Sequence, residues 1–333
     1  MRILVTGGAG FIGSNFIRLL LGQDESCNII NLDKLTYAGN IENIKDLRSS
    51  KNHTFVEGDI CDAALVDRLI SKCDAVINFA AETHVDRSVQ NAKEFVMTDV
   101  VGTYTLLEAA RKHKVKKYIQ ISTDEIYGSR EKGAFTEDSN ISPSSPYAAS
   151  KAGADMLVLS YFKTYKLPVC IIRSSNNFGP YQHPEKFIPL FITNCLENKK
   201  LPLYGDGLNR RDWIYVMDNC EAVLSVLQKG VEGQIYNAAG NNEKANIYVA
   251  KFILNELKKP ESLLQFVKDR PGHDRRYALS SGKIRKLGWE PKHKFEDALR
   301  ETIKWYVERK GWWQKIKSGS FRDYYQSQYG DLQ

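Results

Sequence analysis

The sequence lacks the cysteine and histidine pairs that bind metals or build a disulfide framework. Its six cysteines are scattered without a C-x-x-C pair, and most of them stand among apolar residues. Its six histidines form neither an H-x-H nor an H-x-x-x-H pair. We therefore expect buried thiols in a reducing cytoplasm and no metal site.

Long hydrophobic runs are also missing. No apolar stretch approaches the roughly 20 residues that cross a bilayer, and the apolar start Ile3–Val5 is too short for the core of a secretory signal. Low-complexity segments and repeats of fixed period are absent as well. We expect a soluble, cytoplasmic protein that does not bind a membrane.

The charge of the chain is only moderately basic. Lysine and arginine number 47 against 40 aspartates and glutamates, a net charge of +7. This excess attracts anions, but it is far from the basic tails that bind nucleic acid, so no nucleic-acid partner is expected. Much of it lies between Lys268 and Lys286, where either a solvated surface or a diphosphate site explains it.

Short apolar runs alternate with amphipathic stretches through the first half of the chain. This alternation is typical of βαβ units, in which helices connect parallel strands. We therefore predict an α/β fold with a Rossmann-type, doubly wound parallel sheet. The predicted strands are Ile3–Thr6, Ile29–Asp33, Thr54–Glu57, Ala75–Phe79, Lys117–Ser122 and Val169–Arg173.

After Arg173, glycine and proline break the chain into loops and shorter elements. We predict a dinucleotide-binding domain over residues 1–175 and a smaller α/β lobe, mainly for the substrate, over residues 176–333. Segments near residues 212–240 again have the pattern of a strand and a helix. Part of the second half is therefore expected to return to the large sheet, so that the two lobes interleave.

The first glycine cluster directly follows a predicted strand and opens an apolar helix. Gly7, Gly10 and Gly13 permit a tight turn, a close approach of the backbone to a pyrophosphate, and close packing of helix on sheet. Asp33 ends the next strand and would repel a ribose 2′-phosphate. This context predicts NAD as the cofactor, although Lys34 weakens the preference over NADP slightly.

A tyrosine and a lysine are spaced for one face of a helix. Ser145 and Pro146 are typical of a helix start, which places Tyr147 and Lys151 one turn apart. A lysine ammonium beside a phenol is expected to lower the pKa of the tyrosine. Tyr147 could then accept a hydroxyl proton while a hydride leaves the same carbon for a nicotinamide, so the pair predicts alcohol oxidation.

Two carboxyls follow the strand Lys117–Ser122. Thr123, Asp124 and Glu125 are expected at the edge where doubly wound sheets bind their ligands. An alcohol dehydrogenase does not need two further acids, so they predict that a proton is taken from carbon and a hydroxyl leaves as water. The group that donates to the hydroxyl must stay protonated near neutral pH, which requires burial or a neighbouring carboxylate.

Together these motifs resemble the extended short-chain dehydrogenase/reductase family, and most closely the dTDP-glucose 4,6-dehydratases. Those enzymes belong to deoxysugar biosynthesis, and the deoxysugar here is rhamnose or another one. The Thr123–Glu125 run discriminates best, because related epimerases carry small or hydroxyl residues at the two acidic positions. The resemblance implies a hydro-lyase that yields dTDP-4-keto-6-deoxyglucose with a tightly bound NAD that is regenerated in each turnover. The other matching segments are Gly7–Gly13, Ala80–Ser88, Tyr147–Lys151, Arg173–Pro180, Arg211–Trp213 and Asp269–Tyr277.

The resemblance also implies catalytic roles. Tyr147, supported by Lys151, would take the C4 hydroxyl proton, and Thr123 would hydrogen-bond the C4 oxygen. Glu125 would abstract the C5 proton while Asp124 donates a proton to the departing C6 hydroxyl. The residues expected to contact the cofactor are Gly7, Gly10, Phe11, Ile12, Gly13, Asp33, Lys34, Leu35, Thr36, Asp59, Ile60, Ala80, Ala81, Thr83, Thr98, Ser122, Tyr147, Lys151 and Asn177.

By the same resemblance the nucleotide sugar lies mainly against the second lobe. Arg211 and Arg270 are the expected diphosphate partners, because a guanidinium matches the geometry of phosphate oxygens. A homodimer is implied, with helices around Lys93–His113 and Tyr147–Tyr165 at its interface. The residues expected to contact the substrate are His84, Thr123, Asn176, Lys186, Phe187, Pro202, Leu203, Tyr204, Arg211, Asn242, Asp269, Arg270, Pro271, Gly272, His273 and Tyr277.

Two other functions remain compatible with the motifs. A nucleotide-sugar 4-epimerase would use Tyr147, Lys151 and NAD on the same scaffold, and Asp124 and Glu125 argue against it. A non-catalytic protein that binds NAD is the alternative from a different class, and the intact tyrosine–lysine pair argues against that. Thymidine and glucose are implied only by the resemblance, and uridine is the main alternative base.

Overall fold

The structure, a computed structural model, describes residues 1–269, 272–318, 321, 325, 329 and 330. The strands are β1 (Arg2–Thr6), β2 (Asn28–Asp33), β3 (His53–Glu57), β4 (Ala75–Asn78), β5 (Lys117–Thr123), β6 (Val169–Ser174), β7 (Asn176–Phe178), β8 (Leu201–Tyr204), β9 (Arg210–Tyr215), β10 (Gln234–Ala238), β11 (Glu243–Ala245) and β12 (Leu264–Val267). The helices are α1 (Phe11–Gln23), α2 (Ala63–Ile70), α3 (Val85–Gln90), α4 (Ala92–Phe95), α5 (Thr103–Lys112), α6 (Pro146–Tyr165), α7 (Phe187–Leu196), α8 (Val216–Lys229), α9 (Asn246–Glu256), α10 (Gly282–Arg285), α11 (Phe295–Glu308) and α12 (Lys310–Lys317).

Several short helical turns complete the described chain. A π-helical turn, Val96–Gly102, joins α4 to α5 without interruption. A 3₁₀ turn, Asp124–Tyr127, directly follows β5 and carries the two acids. The remaining 3₁₀ turns are Ile41–Ile44, Asp46–Ser49 and Glu261–Leu263.

Within the described residues, seven strands form one parallel sheet in the order β10-β6-β5-β4-β1-β2-β3. The chain runs outward in one direction through β2 and β3 and in the other through β4, β5 and β6. Such a reversal opens a crevice at the carboxyl ends of the central strands. All six predicted strands are present within one residue of their expected ends, so the predicted doubly wound α/β fold is confirmed.

Helices cover both faces of this sheet. Phe16 and Ile17 of α1 pack into a core with α7, α8 and α11 on one face. Val66 of α2, Leu106 of α5 and Val158 of α6 form the core of the other face. Burial of each side chain of this size stabilises the fold by about 1.5–3 kcal/mol. Strands that are covered on both faces therefore have nearly continuous apolar sequences.

The second half of the chain returns to the large sheet through β10, which pairs with β6. Strand β9 does not return to it, although it belongs to the same predicted segment. It pairs in parallel with β7 and antiparallel to β11 in a smaller sheet. Strands β8 and β12 pair separately. The boundary near residue 175 between two domains stays a prediction.

No helix of the described chain is long and apolar enough to span a membrane. The cysteines are free thiols, and no group of three or more cysteine, histidine or acidic side chains among the described residues could hold a metal ion. The buried thiols are Cys27, Cys170, Cys195 and Cys220, and the half-buried ones are Cys61 and Cys73.

Candidate active site

The glycine turn between β1 and α1 requires residues without a side chain. Gly7 has a φ of +67°, and a Cβ there would lie 2.6 Å from the backbone nitrogen of Ala80. A Cβ on Gly13 would lie 2.4 Å from the carbonyl oxygen of Gly7. Helix α1 begins after Gly10, where no side chain caps its first N–H groups. The turn therefore presents unoccupied backbone donors, which suit a pyrophosphate.

Asp33 ties the end of β2 to this turn. Its Oδ2 accepts a hydrogen bond from the backbone N–H of Ala9 at 2.9 Å, and its Oδ1 accepts one from Leu35 at 2.8 Å. Beside it, Lys34 Nζ lies 2.7 Å from Asp59 Oδ2. An acidic group thus lies next to the glycine turn. There it can accept hydrogen bonds from ribose hydroxyls, and its charge disfavours a 2′-phosphate on that ribose.

One cavity brings together the residues predicted for the cofactor and for catalysis. Every predicted cofactor residue except Leu35 lines it, and so do all five predicted catalytic residues. The side-chain oxygen of Asn177 in this cavity is buried and has no hydrogen-bond partner within the described chain. A glycine turn, a neighbouring acid and an unsatisfied amide oxygen fit a dinucleotide in this cavity.

Helix α6 carries the tyrosine and the lysine into the cavity. Ser145 caps the helix, because its side-chain oxygen accepts the N–H of Ala148 at 3.1 Å, and Pro146 stands in the first turn. The predicted helix start is confirmed. Lys151 Nζ donates to the carbonyl oxygen of Ile121 at 2.7 Å, which fixes the ammonium at the end of β5.

The lowering of the Tyr147 pKa by Lys151 stays a prediction, because other groups act more strongly on the phenol. The pKa of Tyr147 is raised well above its usual value, first by loss of contact with water and then by the negative charges of Glu125 and Asp99. A hydrogen bond with Thr123 acts in the opposite direction and does not offset them. The prediction from sequence took account of one cation, Lys151, and not of the carboxyls of Glu125 and Asp99.

The 3₁₀ turn after β5 orients the two acids. The Thr123 hydroxyl accepts the N–H of Glu125 at 3.2 Å and donates to Asp124 Oδ1 at 3.3 Å. Asp124 is 2% exposed, and its Oδ2 has no hydrogen-bond partner in the described part of the chain. Burial, and after it the charges of Glu125 and Asp212, raises the pKa of Asp124 well above its usual value. An acid in such surroundings holds its proton near neutral pH.

Second-lobe residues approach the same acids. The guanidinium of Arg211 donates to the carbonyl oxygen of Asp274 at 2.9 Å and lies over the ring of Tyr277 at 4.5 Å. Its positive charge acts on Asp124. The Tyr277 hydroxyl donates to Asp274 Oδ2 at 2.6 Å, and the charge of Glu125 acts on it. Arg211 and Tyr277 therefore lie within electrostatic reach of Asp124 and Glu125.

The remaining predicted substrate residues are spread over several surfaces. Asn176 and Lys186 line the cavity with Thr123. Burial lowers the pKa of His84 to about 4, so this side chain is neutral at pH 7. Leu203 is 1% exposed and belongs to the hydrophobic core, so its side chain does not face the cavity.

Other predicted substrate residues make contacts away from the lining of the cavity. Tyr204 donates to Asp86 at 3.3 Å, and His273 lies 2.6 Å from Asp269. Arg270 and Pro271 lie outside the described residues. Phe187 stacks on Trp213, and the side chain of Asn242 donates to the carbonyl oxygen of Gly240. Pro202 lies in the buried strand β8, and Gly272 has a φ of +64°.

The cavity also contains residues that the sequence argument did not assign. Glu82 is the most informative, because burial and the charge of Asp99 raise its pKa to about 7. It stands inside the segment Ala80–Ser88, so its place after β4 was the available signal. The other unassigned lining residues are Leu32, Ala38, Gly39, Gly58, Phe79, Ile121, Ser174, Ser175, Gln182 and His183.

Known proteins resemble the chain over almost its whole length. Residues 4–302 match the family described as GDP-mannose 4,6 dehydratase. A dTDP-glucose 4,6-dehydratase of Streptomyces niveus is 47% identical over 323 residues, 96% of this chain and 96% of that protein. The low-salt glycan biosynthesis protein Agl12 of Haloferax volcanii is 50% identical over 307 residues, 92% of this chain and 99% of that protein.

A solved structure agrees with these relatives. The crystal structure of DesIV, the dTDP-glucose 4,6-dehydratase of Streptomyces venezuelae with NAD and TYD bound, has a TM-score of 0.94 and 48% identity, and the match covers 95% of this chain and 100% of that one. Fold and site thus define a Rossmann-type protein of the extended short-chain dehydrogenase/reductase class. Within that class the chain belongs to the nucleotide-sugar 4,6-dehydratase family, as its motifs predicted.

Proposed function

We propose that this protein is a dTDP-glucose 4,6-dehydratase that uses NAD and yields dTDP-4-keto-6-deoxyglucose. The observation that carries the proposal is the Asp124–Glu125 pair beside Tyr147 and Lys151 in one cavity. The tyrosine and lysine suit alcohol oxidation, and the two acids suit removal of a proton from one carbon and of a hydroxyl from the next. The relatives named dTDP-glucose 4,6-dehydratase support this assignment.

The cofactor binds along the glycine turn, with Asp33 at the ribose and Asn177 near the catalytic end. The backbone donors at the start of α1 receive the pyrophosphate. When bound, NAD accepts a hydride from the sugar and later returns it. The chain's own residues supply every proton transfer.

Oxidation at C4 is assigned to Tyr147. Tyr147 acts as a phenolate and takes the proton of the C4 hydroxyl, which converts it to the phenol, and Thr123 donates a hydrogen bond to the C4 oxygen. The positive charge of Lys151 favours the phenolate that this step requires. A ketone at C4 results, and it acidifies the hydrogen on C5.

Elimination is assigned to the two acids. Glu125 takes the C5 proton, and Asp124 donates its proton to the C6 hydroxyl, which leaves as water. The raised pKa of Asp124 supports this division, because only a protonated acid can donate. Return of a hydride to C6 and of a proton to C5 then completes the 4-keto-6-deoxy sugar.

The nucleotide end of the substrate is assigned to the second lobe. The charge of Arg211 acts on Asp124, which supports a position close to the sugar. Its guanidinium donates to the backbone carbonyls of Arg210 and Asp274, which orients it beside the loop at residue 274. Arg270 remains a predicted diphosphate partner.

A homodimer through the helices around residues 93–113 and 147–165 is part of the proposal. Helices α5 and α6 lie against each other, and the Tyr161 hydroxyl donates to Glu108 at 2.6 Å. Large apolar side chains within these two ranges are exposed, among them Val96, Tyr104 and Met156, each more than 40% exposed. Exposed apolar patches are typical of a protein interface. Sedimentation of the purified protein tests this association.

A nucleotide-sugar 4-epimerase is the main alternative. It needs alcohol oxidation and reduction at the same carbon and no acid at C6, so Asp124 and Glu125 would have no task in it. The non-catalytic alternative likewise leaves the tyrosine, the lysine and both acids without a purpose.

Mass spectrometry of the products from dTDP-, UDP- and GDP-hexoses tests the proposal. The true substrate loses about 18 mass units, the mass of the one water that elimination expels. We expect this loss with dTDP-glucose, and we expect Tyr147→Phe to abolish it. An isomer of unchanged mass would support the epimerase, and no reaction with any hexose would support the non-catalytic protein.

A further inference from the structure

Asp99 is a buried carboxyl that neither the motifs nor the proposed mechanism uses. It lies in the π-helical turn Val96–Gly102, and its side chain is 1% exposed. Phe95, four residues earlier, is also buried and packs its ring edge-on against Tyr147, with ring centroids 6.3 Å apart. Such π-helical turns are rare and occur frequently at functional sites. The helix therefore presents Phe95 and Asp99 toward the catalytic tyrosine.

Two hydrogen bonds hold the carboxylate in place. Asp99 Oδ2 accepts from the hydroxyl of Ser150 at 2.7 Å, and Asp99 Oδ1 accepts from the backbone N–H of Glu82 at 3.1 Å. Ser150 directly precedes Lys151, and the carbonyl oxygen of Tyr147 lies 2.8 Å from the same hydroxyl, so Asp99 and this carbonyl share its single proton. The carboxylate is thus connected to the backbone that carries the tyrosine and lysine.

The charges around Asp99 come from two elements. From α6, the ammonium of Lys151 favours the carboxylate, and the phenol of Tyr147 is in turn affected by it. From the loop after β4, the carboxyl of Glu82 is a like charge. Burial, which Lys151 and the hydrogen bonds only partly offset, raises the pKa of Asp99 to about 6.

Three further charged groups reach Asp99 indirectly, because they act on Glu82. Glu94 raises the pKa of Glu82, and Arg87 and Lys34 lower it. Glu82 and Asp99 therefore change charge close to neutral pH, and the charge of Asp99 opposes a phenolate at Tyr147.

We propose that Asp99 is a positioning residue whose negative charge makes Tyr147 harder to deprotonate and so sets the pH at which alcohol oxidation begins. The inference rests on the proposed function of Tyr147 as the base. Above neutral pH the Asp99 carboxylate is charged, attracts Lys151 and opposes phenolate formation. Protonation of Asp99 removes this opposition.

Asp99→Asn tests the proposal, because the amide can remake both hydrogen bonds without the charge. Its oxygen can accept the N–H of Glu82, and its NH₂ can donate to Ser150. We expect the acid limb of the pH profile for NAD reduction by the sugar to move down by about one pH unit. Turnover on that limb would rise about tenfold, and the melting temperature would change little. Asp67→Asn, which removes an exposed carboxyl on α2, should leave the limb in place.

A purely structural role for Asp99 would lower the melting temperature or the rate at every pH without moving the limb, and that result would overturn the proposal. A second measurement does not depend on sugar turnover. Infrared spectra of the NAD-bound protein, wild type minus Asp99→Asn, should contain a protonated-carboxyl band that disappears with a midpoint near pH 6. A band that persists to pH 9 would overturn the proposal, because a neutral Asp99 cannot repel phenolate. Absence of any dehydrated product with the wild type would instead refute the proposed function, and the infrared result would still decide the state of Asp99.

Discussion

Asp124 and Asp155 are two buried carboxyls at the same edge of the sheet, and they differ in the groups that hydrogen-bond to them. Asp155 Oδ2 accepts hydrogen bonds from Arg173 Nε and from the Ser122 hydroxyl, both at 3.0 Å. Asp124 receives one hydrogen bond, from Thr123, instead of a bond from a cation. Each carboxyl has one oxygen, Asp124 Oδ2 or Asp155 Oδ1, without a hydrogen-bond partner among the residues that the structure describes. One carboxyl is neutralised by a cation, and the other faces the cavity.

The difference separates a structural acid from a catalytic one. Burial raises the pKa of both carboxyls. At Asp155 the charge of Arg173 acts against burial, whereas at Asp124 neighbouring acids outweigh the effect of Arg211. The ion pair of Asp155 and Arg173, with the hydrogen bond from Ser122, connects α6, β6 and β5. A buried acid without a paired cation keeps a proton that it can donate, which is what the proposed elimination needs.

Asp124→Asn removes the proton of the proposed catalytic acid, and its expected effect on the rate is the largest of these predictions. Formation of the 4-keto product should fall about 10²–10⁴-fold, because an amide cannot act as the acid at C6. The free energy of unfolding should hardly change, since asparagine has the shape of a protonated aspartate. Product assays and urea denaturation at pH 7 measure both quantities. Wild-type turnover in this variant would exclude Asp124 as the acid.

Arg173→Met breaks the structural side and should lower the free energy of unfolding by about 3–5 kcal/mol, because it leaves Asp155 buried without its cation. Urea denaturation measures the loss. The matched control is the double variant Asp155→Leu with Arg173→Met, which replaces both partners with apolar side chains and should recover much of the stability. If the double variant were as unstable as the single one, shape rather than charge would explain the effect.

Two tyrosines provide the smallest and sharpest contrast. The Tyr127 hydroxyl accepts from Arg173 at 2.8 Å and donates to Asn237 at 3.0 Å, so Tyr127→Phe leaves both partners unsatisfied. It should cost about 1–3 kcal/mol of stability. Tyr147→Phe removes the proposed base and should leave the melting temperature nearly unchanged. Thermal unfolding of the two variants side by side checks this, and equal melting temperatures would contradict the division between the two networks.

Local patterns made much of the fold and part of the site predictable. The strands were recognisable because buried parallel strands require continuous apolar runs. The turn at Gly7 was recognisable because its positive φ favours glycine and because a strand precedes it and a helix follows it. The start of α6 was recognisable because Ser145 caps it within three residues. Each of these features depends on neighbours in sequence.

Other features depend on contacts between distant segments and were missed. The pKa of Tyr147 is raised first by burial and then by the charges of Glu125 and of Asp99, and Asp99 is 48 residues away in the chain and belongs to another helix. The partner of Asp155 is Arg173, whose role no spacing rule indicates. The side chain of Leu203 lies in the core, which the sequence did not indicate, and its contact with the substrate stays a prediction.

The sequence by itself determined the doubly wound sheet, the glycine turn and the type of chemical groups at the end of β5, because hydrophobic period, backbone freedom and side-chain chemistry are local properties. Only the tertiary structure decided which of those groups carry protons. Desolvation and charge–charge energies depend on everything packed around a carboxyl or a phenol. The same residue type therefore becomes an acid at Asp124, an ion-pair partner at Asp155 and, in our proposal, a regulator of the base at Asp99.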